Sequence, residues 1–446
     1  MYSFVKSVFF VWVIACFSAC SNANNDSGNT GRIPASDTLP DQFPRISDSA
    51  LLDKVQSQTL KYFTDFGHPN CGMVRERNTS GDVVTTGGTG FGIMAMIAAS
   101  SRNFISRNDA LTRIQTIVSF LKNNCTTYHG AFSHWINGVT GATVPFSAQD
   151  NGGDIVETSY LMEGLLCARQ YFNQNIATED TLRSNINTLW NAVEWTWYQN
   201  NQNTLYWLWS PTNAWENNMQ VSGWNEALIV YVLAASSTNY AINKTVYDNG
   251  WARNGNMKNG KSFYGVQLPL GPDGGGPLFF EHYSFLGLNP NGLSDAYANY
   301  ATQVQSHSLI NHNYFKTNPN NFFGYSDTCW GLTASDIQNG YAASSPTNDV
   351  GVIAPTAAIS SLPYTPEQSM NALRFFYYKL GDKLWGQYGF YDAFSLKDLW
   401  FANSYLAIDQ GPQIVMIENY RTGLMWHLFM SCPEIRSGLT KLGFTF

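Results

Sequence analysis

Two groups of carboxylates lie in an aromatic-rich part of the chain. Asp150, Asp154 and Glu157 occur in the segment SAQDNGGDIVETSYL, and Glu226 occurs in VSGWNEAL. Asp154 and Glu157 would point the same way if a helix begins near Gly153. Glycosidic bond hydrolysis needs one carboxylic acid to protonate the leaving oxygen and a second group to handle water or the anomeric carbon. Acids beside flat aromatic rings therefore predict a carbohydrate-active enzyme.

Each of these carboxylates also has a structural interpretation. Glu226 could be a helix N-terminal acid that the helix dipole stabilises. Its GWNE context, however, supplies aromatic neighbours that would desolvate it and raise its pKa, as a general acid requires. Asp154 and Glu157 could be first-turn acids of a helix. We favour Glu226 as the acid, with Asp154 as the candidate base, helped by Asp150 and Glu157.

Aromatic and polar residues near these acids are candidates for substrate contacts. Trp190 and Trp197 stand at helical spacing and are predicted to be core residues. Four tryptophans in or beside the loop 200–223 are better candidates for stacking on sugar rings: Trp207, Trp209, Trp215 and Trp224. Further candidates, each equally explained as a hydrogen-bonded structural residue, are Arg77, Glu281, His282, Asp336 and Arg421.

Composition excludes several classes of function. A net charge of -7 with 13% charged residues argues against a nucleic-acid partner. The 15% aromatic content fits a large core and a sugar-binding cleft. His307 and His312 lack metal-ligand spacing, so no metal site is expected. No cofactor is expected either, and the protein is expected to be a monomer. Five cysteines follow residue 20 without metal-ligand spacing, and a disulfide between Cys71 and Cys125 stays open.

The N-terminus reads as a targeting segment. Lys6 precedes the apolar residues 8–14, and FSAC ends at Cys20, which matches a bacterial lipobox. The alternative is an ordinary signal peptide cut near Ala19. We predict a lipoprotein signal peptide at residues 1–20, a flexible tether at 21–45 and a single catalytic domain at 46–446. The expected location is the bacterial cell envelope, with membrane contact only through a lipid on Cys20.

The remaining chain predicts an all-α fold. Apolar periodicity predicts a helix after Ser47, one around residues 111–121, and others at 89–100, 153–173, 179–199, 224–236, 293–305, 351–361, 366–380 and 411–430. Thr365 to Gln368 read as a capping box, and Gly381 reads as a stop signal. Short strands are plausible at 132–135 and 205–209. Ten to twelve helices in sequential pairs, with long loops at one end, predict an (α/α)6 toroid with a cleft at one rim.

Several segments resemble a known family. They are LKYFTDFGHPNCGMVRERN (60–78), TTGGTGFGIMAMIAA (85–99), DIVETSYLMEGLLCARQYF (154–172), GWNEALIVYVLA (223–234), WGLTASD (330–336), APTAAISSLPYTPEQSMNALR (354–374), YGFYDAF (388–394) and IDQGPQIVMIENYRTGLMW (408–426). The chain resembles the bacterial glucoamylase-like (glycoamylase) domain, the group that includes the β-1,2-glucanases of glycoside hydrolase family 144.

The resemblance implies an (α/α)6 fold and a hydrolase of β-glucan, with endo cleavage of β-1,2 linkages and inversion. It also implies that the acids important for activity match Asp150, Asp154, Glu157 and Glu226. The alternatives are an exo-acting enzyme of the same fold, or a non-catalytic glycan-binding lipoprotein. A polysaccharide lyase on a similar toroid fits least well, because its anionic substrate would call for more basic residues.

Two positions depart from the family pattern. Thr64 stands where the family has Trp, which removes one expected stacking surface. Glu163 stands where the family has Gln, which adds an acid near the cluster and leaves the identity of the base open.

Overall fold

A computed structural model describes residues 39–446. The predicted signal peptide, Cys20 and most of the predicted tether lie outside the described residues. Helices in the described part are α1 (Asp48–Thr64), α2 (Thr86–Ser101), α3 (Arg107–Asn123), α4 (Ile155–Tyr171), α5 (Ala177–Ala192), α6 (Leu228–Ser236), α7 (Lys244–Val246), α8 (Tyr300–Thr317), α9 (Pro355–Ser360), α10 (Pro366–Leu384), α11 (Ala407–Thr422), α12 (Leu424–Met430) and α13 (Pro433–Leu442).

The strands are short and pair antiparallel in small sheets that decorate the loops. They are β1 (Val83–Thr85), β2 (Thr127–Tyr128), β3 (Ala131–Phe132), β4 (Trp135–Asn137), β5 (Thr143–Val144), β6 (Gly153–Asp154), β7 (Leu205–Tyr206), β8 (Leu208–Trp209), β9 (Gln220–Val221), β10 (Ser262–Phe263), β11 (Val266–Gln267), β12 (Ala334–Ile337), β13 (Gly340–Ala343), β14 (Trp385–Gly386), β15 (Gly389–Phe390), β16 (Phe394–Ser395) and β17 (Trp400–Phe401). One sheet has the order β1-β4-β5, and the pairs β6–β8 and β7–β9 join the segments before α4 and α6. The strands expected at 132–135 and 205–209 therefore exist, each interrupted once.

Burial separates the helices into an inner and an outer set. Fifteen of the sixteen residues of α2 and all nine of α6 are buried, whereas only five of the sixteen residues of α5 are. A helix that is apolar all round belongs in the interior, and an amphipathic one lies on the outside. By this criterion α2, α4, α6, α9 and α11 are inner helices, and α1, α3, α5, α8 and α10 cover them.

The inner helices form a ring. α9 packs on α11, α11 on α2, α2 on α4, and α4 on α6. A short 3-10 segment, Leu278–Glu281 followed by Tyr283–Phe285, takes the sixth place between α6 and α9. It is held there because Ile229 donates its backbone N–H to Ser284 Oγ (3.0 Å) and His282 Nε2 lies 3.0 Å from Ser361 Oγ. The prediction of an (α/α)6 toroid is confirmed.

All five inner helices begin at the same end of the ring. The residues just before or at these starts include Thr85, Asp154, Glu226 and Leu406, which lie within one small region of the molecule. Each helix N-terminus carries a partial positive charge from its aligned peptide dipoles. The fold therefore gathers several positive helix ends at one rim, which is a favourable place for carboxylates.

Some helix boundaries differ from the prediction. The helix expected at 293–305 is α8, which starts at Tyr300 because Asn299 caps it by accepting from the backbone N–H of Thr302. The helix expected at 411–430 is two helices, since Gly423 adopts a left-handed φ of 68° between them. α13 was not predicted; it packs against the outer side of α6.

The signals around α10 were misleading. Thr365 Oγ1 bonds to Ser361 O and to Ser369 Oγ, so it does not cap the helix. Gly381 lies inside α10, which continues to Leu384. A Cβ on Gly381 would come within 2.3 Å of Phe43, so this glycine permits close packing of a ring and does not end the helix.

The cysteines and two of the tryptophans test further predictions made from the sequence. All five cysteines in the described residues are free, so Cys71 and Cys125 are not joined. Trp190 is buried as predicted, but Trp197 is 39% exposed because it lies in a 3-10 turn after α5 ends. Within residues 39–446, helices with the length and hydropathy to cross a bilayer are not found.

Candidate active site

A cavity of about 440 Å³ opens at the N-terminal ends of the inner helices. Its walls combine carboxylates, one guanidinium, one imidazole and many aromatic rings. The lining residues are Glu76, Arg77, Thr85, His134, Trp135, Phe146, Glu157, Tyr160, Trp207, Glu226, Phe279, Tyr283, Ala334, Tyr341, Ala343, Leu406 and Ile408. Its size and its mixture of apolar walls with a few polar groups are typical of a small-molecule or oligosaccharide site.

Asp154 lies beside this cavity, against the lining residue His134, but does not line it itself. It is the N-cap of α4, and its Oδ1 accepts from the backbone N–H groups of Val156 and Glu157, both at 2.9 Å. Its Oδ2 accepts from His134 Nδ1 at 3.1 Å. The side chain is fully buried and does not line the cavity. Both oxygens are occupied, so Asp154 fits a role in orienting its neighbours better than the role of base that its sequence position suggested.

Glu157 faces the cavity. Its Oε2 accepts from the backbone N–H of Gly87 at 2.7 Å and from Thr85 Oγ1 at 3.4 Å, which fixes the carboxylate. A Cβ on Gly87 would lie 2.6 Å from Oε2, so only glycine allows this contact. Oε1 lies 3.9 Å from His134 Nε2 and is left toward the cavity. Burial raises the pKa of Glu157, the charge of His134 opposes this, and the charge of Asp154 adds to it.

Asp150 approaches the same group from the loop between β5 and β6. It is 7% exposed, and its backbone N–H donates to Ser147 Oγ at 3.1 Å. Burial, followed by the charge of Asp154, raises the pKa of Asp150 to about 7. One atom each of His134, Asp150 and Asp154 lie within 4.8 Å of one another, a spacing that could hold a cation. The Nδ1–H of His134 already satisfies Asp154 there.

His134 was not predicted from the sequence. It sits between β3 and β4, and its ring stacks on Phe146 with centroids 4.2 Å apart. Burial lowers the pKa of His134, but Glu157 and Asp154 outweigh this and raise it to about 9, so the ring is charged at neutral pH. The sequence held one weak signal, a histidine inside a predicted strand next to Trp135. We call His134, Asp150, Asp154 and Glu157 the cavity cluster.

Glu226 reaches the cavity from the segment before α6. Its backbone carbonyl accepts from the hydroxyls of Ser284 and Tyr160, which ties this segment to the 3-10 element and to α4. Glu226 keeps some exposed surface because it opens into the cavity, while protein surrounds it on the other sides. Burial raises the pKa of Glu226 to about 7, and the charges of Glu157 and Asp154 add to this. A carboxylic acid that keeps its proton near neutral pH can act as a general acid.

The predicted stacking residues separate into two groups. Trp207 lines the cavity together with Trp135, Phe146 and Tyr283. Trp209, Trp215 and Trp224 are not among the lining residues. Trp209 packs edge-on against His129 with centroids 5.2 Å apart, and Trp215 packs against Tyr206 at 5.4 Å. Trp224 is 5% exposed and donates its Nε1–H to Glu281 at 2.9 Å.

Arg77 and Asp336 meet at the edge of the cavity. Arg77 lines it, and its Nη1 donates to both oxygens of Asp336 at 3.1 and 3.2 Å. Both interpretations offered by the sequence, a cavity residue and a salt bridge, describe Arg77.

Three other candidates lie in structural contacts and do not line the cavity. Glu281 is fully buried and accepts from Trp224, Gln303 and His307. His282 is 2% exposed and lies 3.0 Å from Ser361 Oγ. Arg421 is in the last turn of α11, where its Nη1 donates to Asp53 at 2.6 Å and to Gln56 at 3.0 Å. Each supplies a buried or half-buried polar group with a partner.

Comparison with known proteins agrees with this architecture. The Glycoamylase family model, described as "Putative glucoamylase", matches residues 218–433, and a model described as "Protein of unknown function (DUF3131)" matches residues 56–155. A crystal structure from Bacteroides uniformis with the same glucoamylase description is 53% identical, with a TM-score of 0.89, over 90% of this chain and 99% of that chain.

Two relatives carry more specific names. The endo-β-1,2-glucanase from Chitinophaga pinensis, solved as a sophorotriose and glucose complex, is 48% identical with a TM-score of 0.88 over 90% of this chain and 99% of that chain. The exo β-1,2-glucooligosaccharide sophorohydrolase (non-reducing end) of Parabacteroides distasonis is 44% identical over 449 residues, which is 95% of this chain. The chain spans 61% of the length of that curated relative.

Fold and site together define an (α/α)6 toroid with a carboxylate-lined cavity at the N-terminal ends of its inner helices. Relatives near 50% identity that the chain covers almost completely establish its family. The chain belongs to the glycoamylase family, as its motifs predicted.

Proposed function

We propose that this chain is a glycoside hydrolase that cleaves β-1,2-linked glucan with inversion of configuration. The observation that carries this proposal is that Glu157, in the first turn of α4, and Glu226, in the segment before α6, line one cavity, each with a raised pKa. A protein that only binds glycans has no need for two such acids in one cavity. The names of the relatives from Chitinophaga pinensis and Parabacteroides distasonis support the β-1,2 linkage.

Glu226 acts as the general acid in this proposal. Its proton, retained near neutral pH, passes to the glycosidic oxygen as the bond breaks. Glu157 is the carboxylate of the base side that faces the cavity, and Asp154, Asp150 and His134 stand behind it. Since an inverting enzyme needs room for water, its two carboxyl groups stand roughly 6.5–9.5 Å apart. Carboxylates from separate elements, α4 and the segment before α6, suit that arrangement.

Endo cleavage is the mode that the comparison favours. The endo-acting relative is matched over 99% of its length, whereas the exo-acting relative has a large part that this chain does not share. Trp207, Trp135 and Phe146 then supply stacking faces for successive glucosyl units along the cavity. Exo release of short units remains the competing activity for the same machinery.

Product analysis tests the function and its stereochemistry. The purified protein is mixed with β-1,2-, β-1,3- and β-1,4-glucans, and products are resolved by size. We expect a ladder of oligosaccharides from the β-1,2-glucan alone, and proton NMR within minutes should show the α anomer first. Disaccharide as the sole early product would indicate exo action, and an initial β anomer would indicate a retaining mechanism.

A single substitution tests the acid. Glu226→Gln cannot donate a proton, so we expect kcat to fall on the order of a hundredfold or more while the melting temperature stays unchanged. Turnover near that of the wild type would refute this role for Glu226.

We also propose that the chain is a lipoprotein of the bacterial cell envelope, held by a lipid on Cys20. The support is the FSAC sequence after an apolar segment, followed by polar residues. Cys20→Ala should move the protein out of the membrane fraction and abolish labelling with a fatty-acid analogue. Retained label would contradict the assignment.

A further inference from the structure

A second group of carboxyl groups lies next to the cavity, around Arg77. Asp336 belongs to β12, Asp392 to the loop between β15 and β16, and Asp409 to the first turn of α11. Asp392 and Asp409 are 2% and 3% exposed. With Glu76, four carboxyl groups surround one guanidinium, so one cation cannot balance them all if they are ionised.

Arg77 is held rigidly but not saturated. Its Nε donates to Glu76 at 3.0 and 3.1 Å, and its Nη1 donates to both oxygens of Asp336. The backbone around it is fixed as well, because Ala407 donates its N–H to Glu76 O at 2.9 Å. Within residues 39–446, no acceptor contacts Nη2 at hydrogen-bonding distance. Arg77 lines the cavity, so its remaining N–H groups are available to an occupant.

Asp336 depends in turn on the two buried acids. Its Oδ2 accepts from Ser404 Oγ at 2.6 Å, and its backbone N–H donates to Asp392 Oδ2 at 2.7 Å. The carboxyl groups of Asp392 and Asp409 are hydrogen-bonding neighbours, yet Asp392 Oδ1 and Asp409 Oδ2 meet no N–H or O–H donor in the described part of the chain. Two buried carboxyl groups in contact need a proton between them, as in other carboxyl pairs that share a site.

The surroundings agree with a retained proton. Burial raises the pKa of Asp392 to about 7, and burial together with the charge of Asp392 raises that of Asp409 well above its usual range. The charged groups that face this pair are Asp336 and Arg77. Tyr283 and Tyr341, both of which line the cavity, face Asp409.

We propose that Arg77 binds hydroxyl groups of a glucosyl unit in the cavity, and that a proton shared by Asp392 and Asp409 positions Arg77 through Asp336. This rests on the proposed action on glucan. A fixed guanidinium whose charge is already countered suits a neutral sugar, since it offers directed N–H donors without attracting an anion. Arg77 contacts substrate in this arrangement, and Asp336, Asp392 and Asp409 are positioning residues.

The first experiment separates binding from turnover at Arg77. Arg77→Lys keeps the charge but loses the planar guanidinium, whose Nε contacts Glu76 and whose Nη1 contacts Asp336. We therefore expect KM for β-1,2-glucan to rise about tenfold, the effect of losing a charged hydrogen bond, while kcat changes less than about threefold. The matched control is Arg374→Lys, because Arg374 also contacts a carboxylate but lies on the surface, where its Nε and Nη2 donate to the two oxygens of Asp48. An unchanged KM, or a loss confined to kcat, would overturn the role of Arg77.

The second experiment tests the shared proton. Asp409→Ala should raise KM as Arg77→Lys does. In Asp409→Asn the amide supplies an N–H to Asp392, so KM should return most of the way to the wild-type value. Wild-type KM should also rise as pH is raised above about 7 and the proton is lost, whereas KM of Asp409→Asn should stay flat. Equal KM values for the Ala and Asn variants, with a pH profile parallel to the wild type, would refute the shared proton.

Calorimetric titration on the Glu226→Gln background distinguishes failure of this inference from failure of the proposed function. There, binding of β-1,2-glucan oligosaccharides is measured without turnover. If the wild type cleaves no glucan but Arg77→Lys still weakens binding about tenfold, the binding role stands and the hydrolase assignment falls. An oligosaccharide affinity that Arg77→Lys leaves unchanged, or no binding of any neutral glucan, overturns the inference.

Discussion

The cavity cluster and the buried contact of Glu281 with His307 both combine carboxylates with a histidine. They differ in whether the negative and positive charges balance. Glu281 Oε1 accepts from His307 Nδ1 at 2.8 Å, from Trp224 Nε1 at 2.9 Å and from Gln303 Nε2 at 2.9 Å. His307 Nε2 lies 2.9 Å from Gly276 O. Both ring nitrogens of His307 therefore face acceptors, which requires a charged imidazolium beside one carboxylate.

In the cavity cluster one imidazolium faces three carboxylates. His134 contacts Asp154 and Glu157, and Asp150 completes the set. The negative charges are in excess, so burial and mutual repulsion raise the pKa values of Asp150 and Glu157. One acid with one base, enclosed on all sides, is a structural ion pair. Several acids beside one base, with Glu157 and His134 open to a cavity, can take up and release a proton.

The largest expected difference between the two regions is in turnover. Glu157→Gln removes the cavity-facing carboxylate and should lower kcat about a hundredfold or more, with little change in melting temperature. The amide still accepts from Gly87, so the fold keeps its contact. Product formation from β-1,2-glucan and thermal unfolding are the two measurements. If Glu157 is the base, kcat should fall less in Asp154→Asn than in Glu157→Gln. A larger fall in Asp154→Asn would assign the role of base to Asp154.

The same chemical change at Glu281 should act on stability. Glu281→Gln removes the carboxylate that balances the buried charge of His307, and breaking a buried ion pair in this way costs about 3–5 kcal/mol in other proteins. Chemical denaturation should show that loss, while kcat below the melting temperature stays within about threefold of wild type. A kcat loss without destabilisation would mean that Trp224, two residues before Glu226, links this region to the acid.

His134 sets the pH range of the cavity cluster. Because the pKa of His134 is raised to about 9, its positive charge is present throughout the neutral range and opposes protonation of Glu157. His134→Gln removes that charge, so the acidic limb of the kcat/KM profile should move to higher pH by about one unit. His129→Gln, which disrupts a histidine–carboxylate contact outside the cavity, serves as the control and should leave the limb in place. An unmoved limb in His134→Gln would show that the ring only packs on Phe146.

Glu163 is a buried acid that contacts no cation in the described residues and does not line the cavity. Its substitution should have the smallest effect of the changes considered. Its Oε1 accepts from Gly287 at 2.8 Å, Oε2 has no partner in the described residues, and burial raises its pKa well above the usual range. A raised pKa gives stability that is complete below the unfolded pKa near 4.5 and lost as pH rises toward the folded pKa. Glu163→Gln should therefore be more stable than wild type at pH 8, and the difference in the free energy of unfolding should be smaller at pH 5. Equal unfolding curves at both pH values would contradict this.

The sequence predicted the acids better than their partners. Asp154, Glu157 and Glu226 stand beside helix starts, and inner helices of a toroid begin at one end, so their convergence follows from local pattern. His134 lies between β3 and β4, and its position depends on strand pairs such as Thr85 opposite Trp135, which involve residues far apart in the chain. Tyr341 lies in β13, where it is placed by pairing with Asp336 of β12. Such pairings have no periodic signal.

The residues that the sequence placed wrongly also have a physical explanation. Glu281 and Trp224 were placed at the cavity because carboxylates and aromatic rings line sugar sites, but the same groups also satisfy each other in a core. Residue type alone cannot separate these cases. The bend that puts Trp197 on the surface is set by the 3-10 turn after α5, and the helical spacing of the tryptophans hid it.

The common direction of the inner helices has a consequence for how this scaffold can change over time. Every segment that enters an inner helix crosses the cavity rim, whereas the ring itself is held together by apolar faces lower down. Insertions or exchanges in those entering segments would reshape the openings of the cavity without loosening the ring. New chain lengths of product could thus arise by loop replacement alone, and grafting a rim loop from a relative is a practical route to altered cleavage patterns.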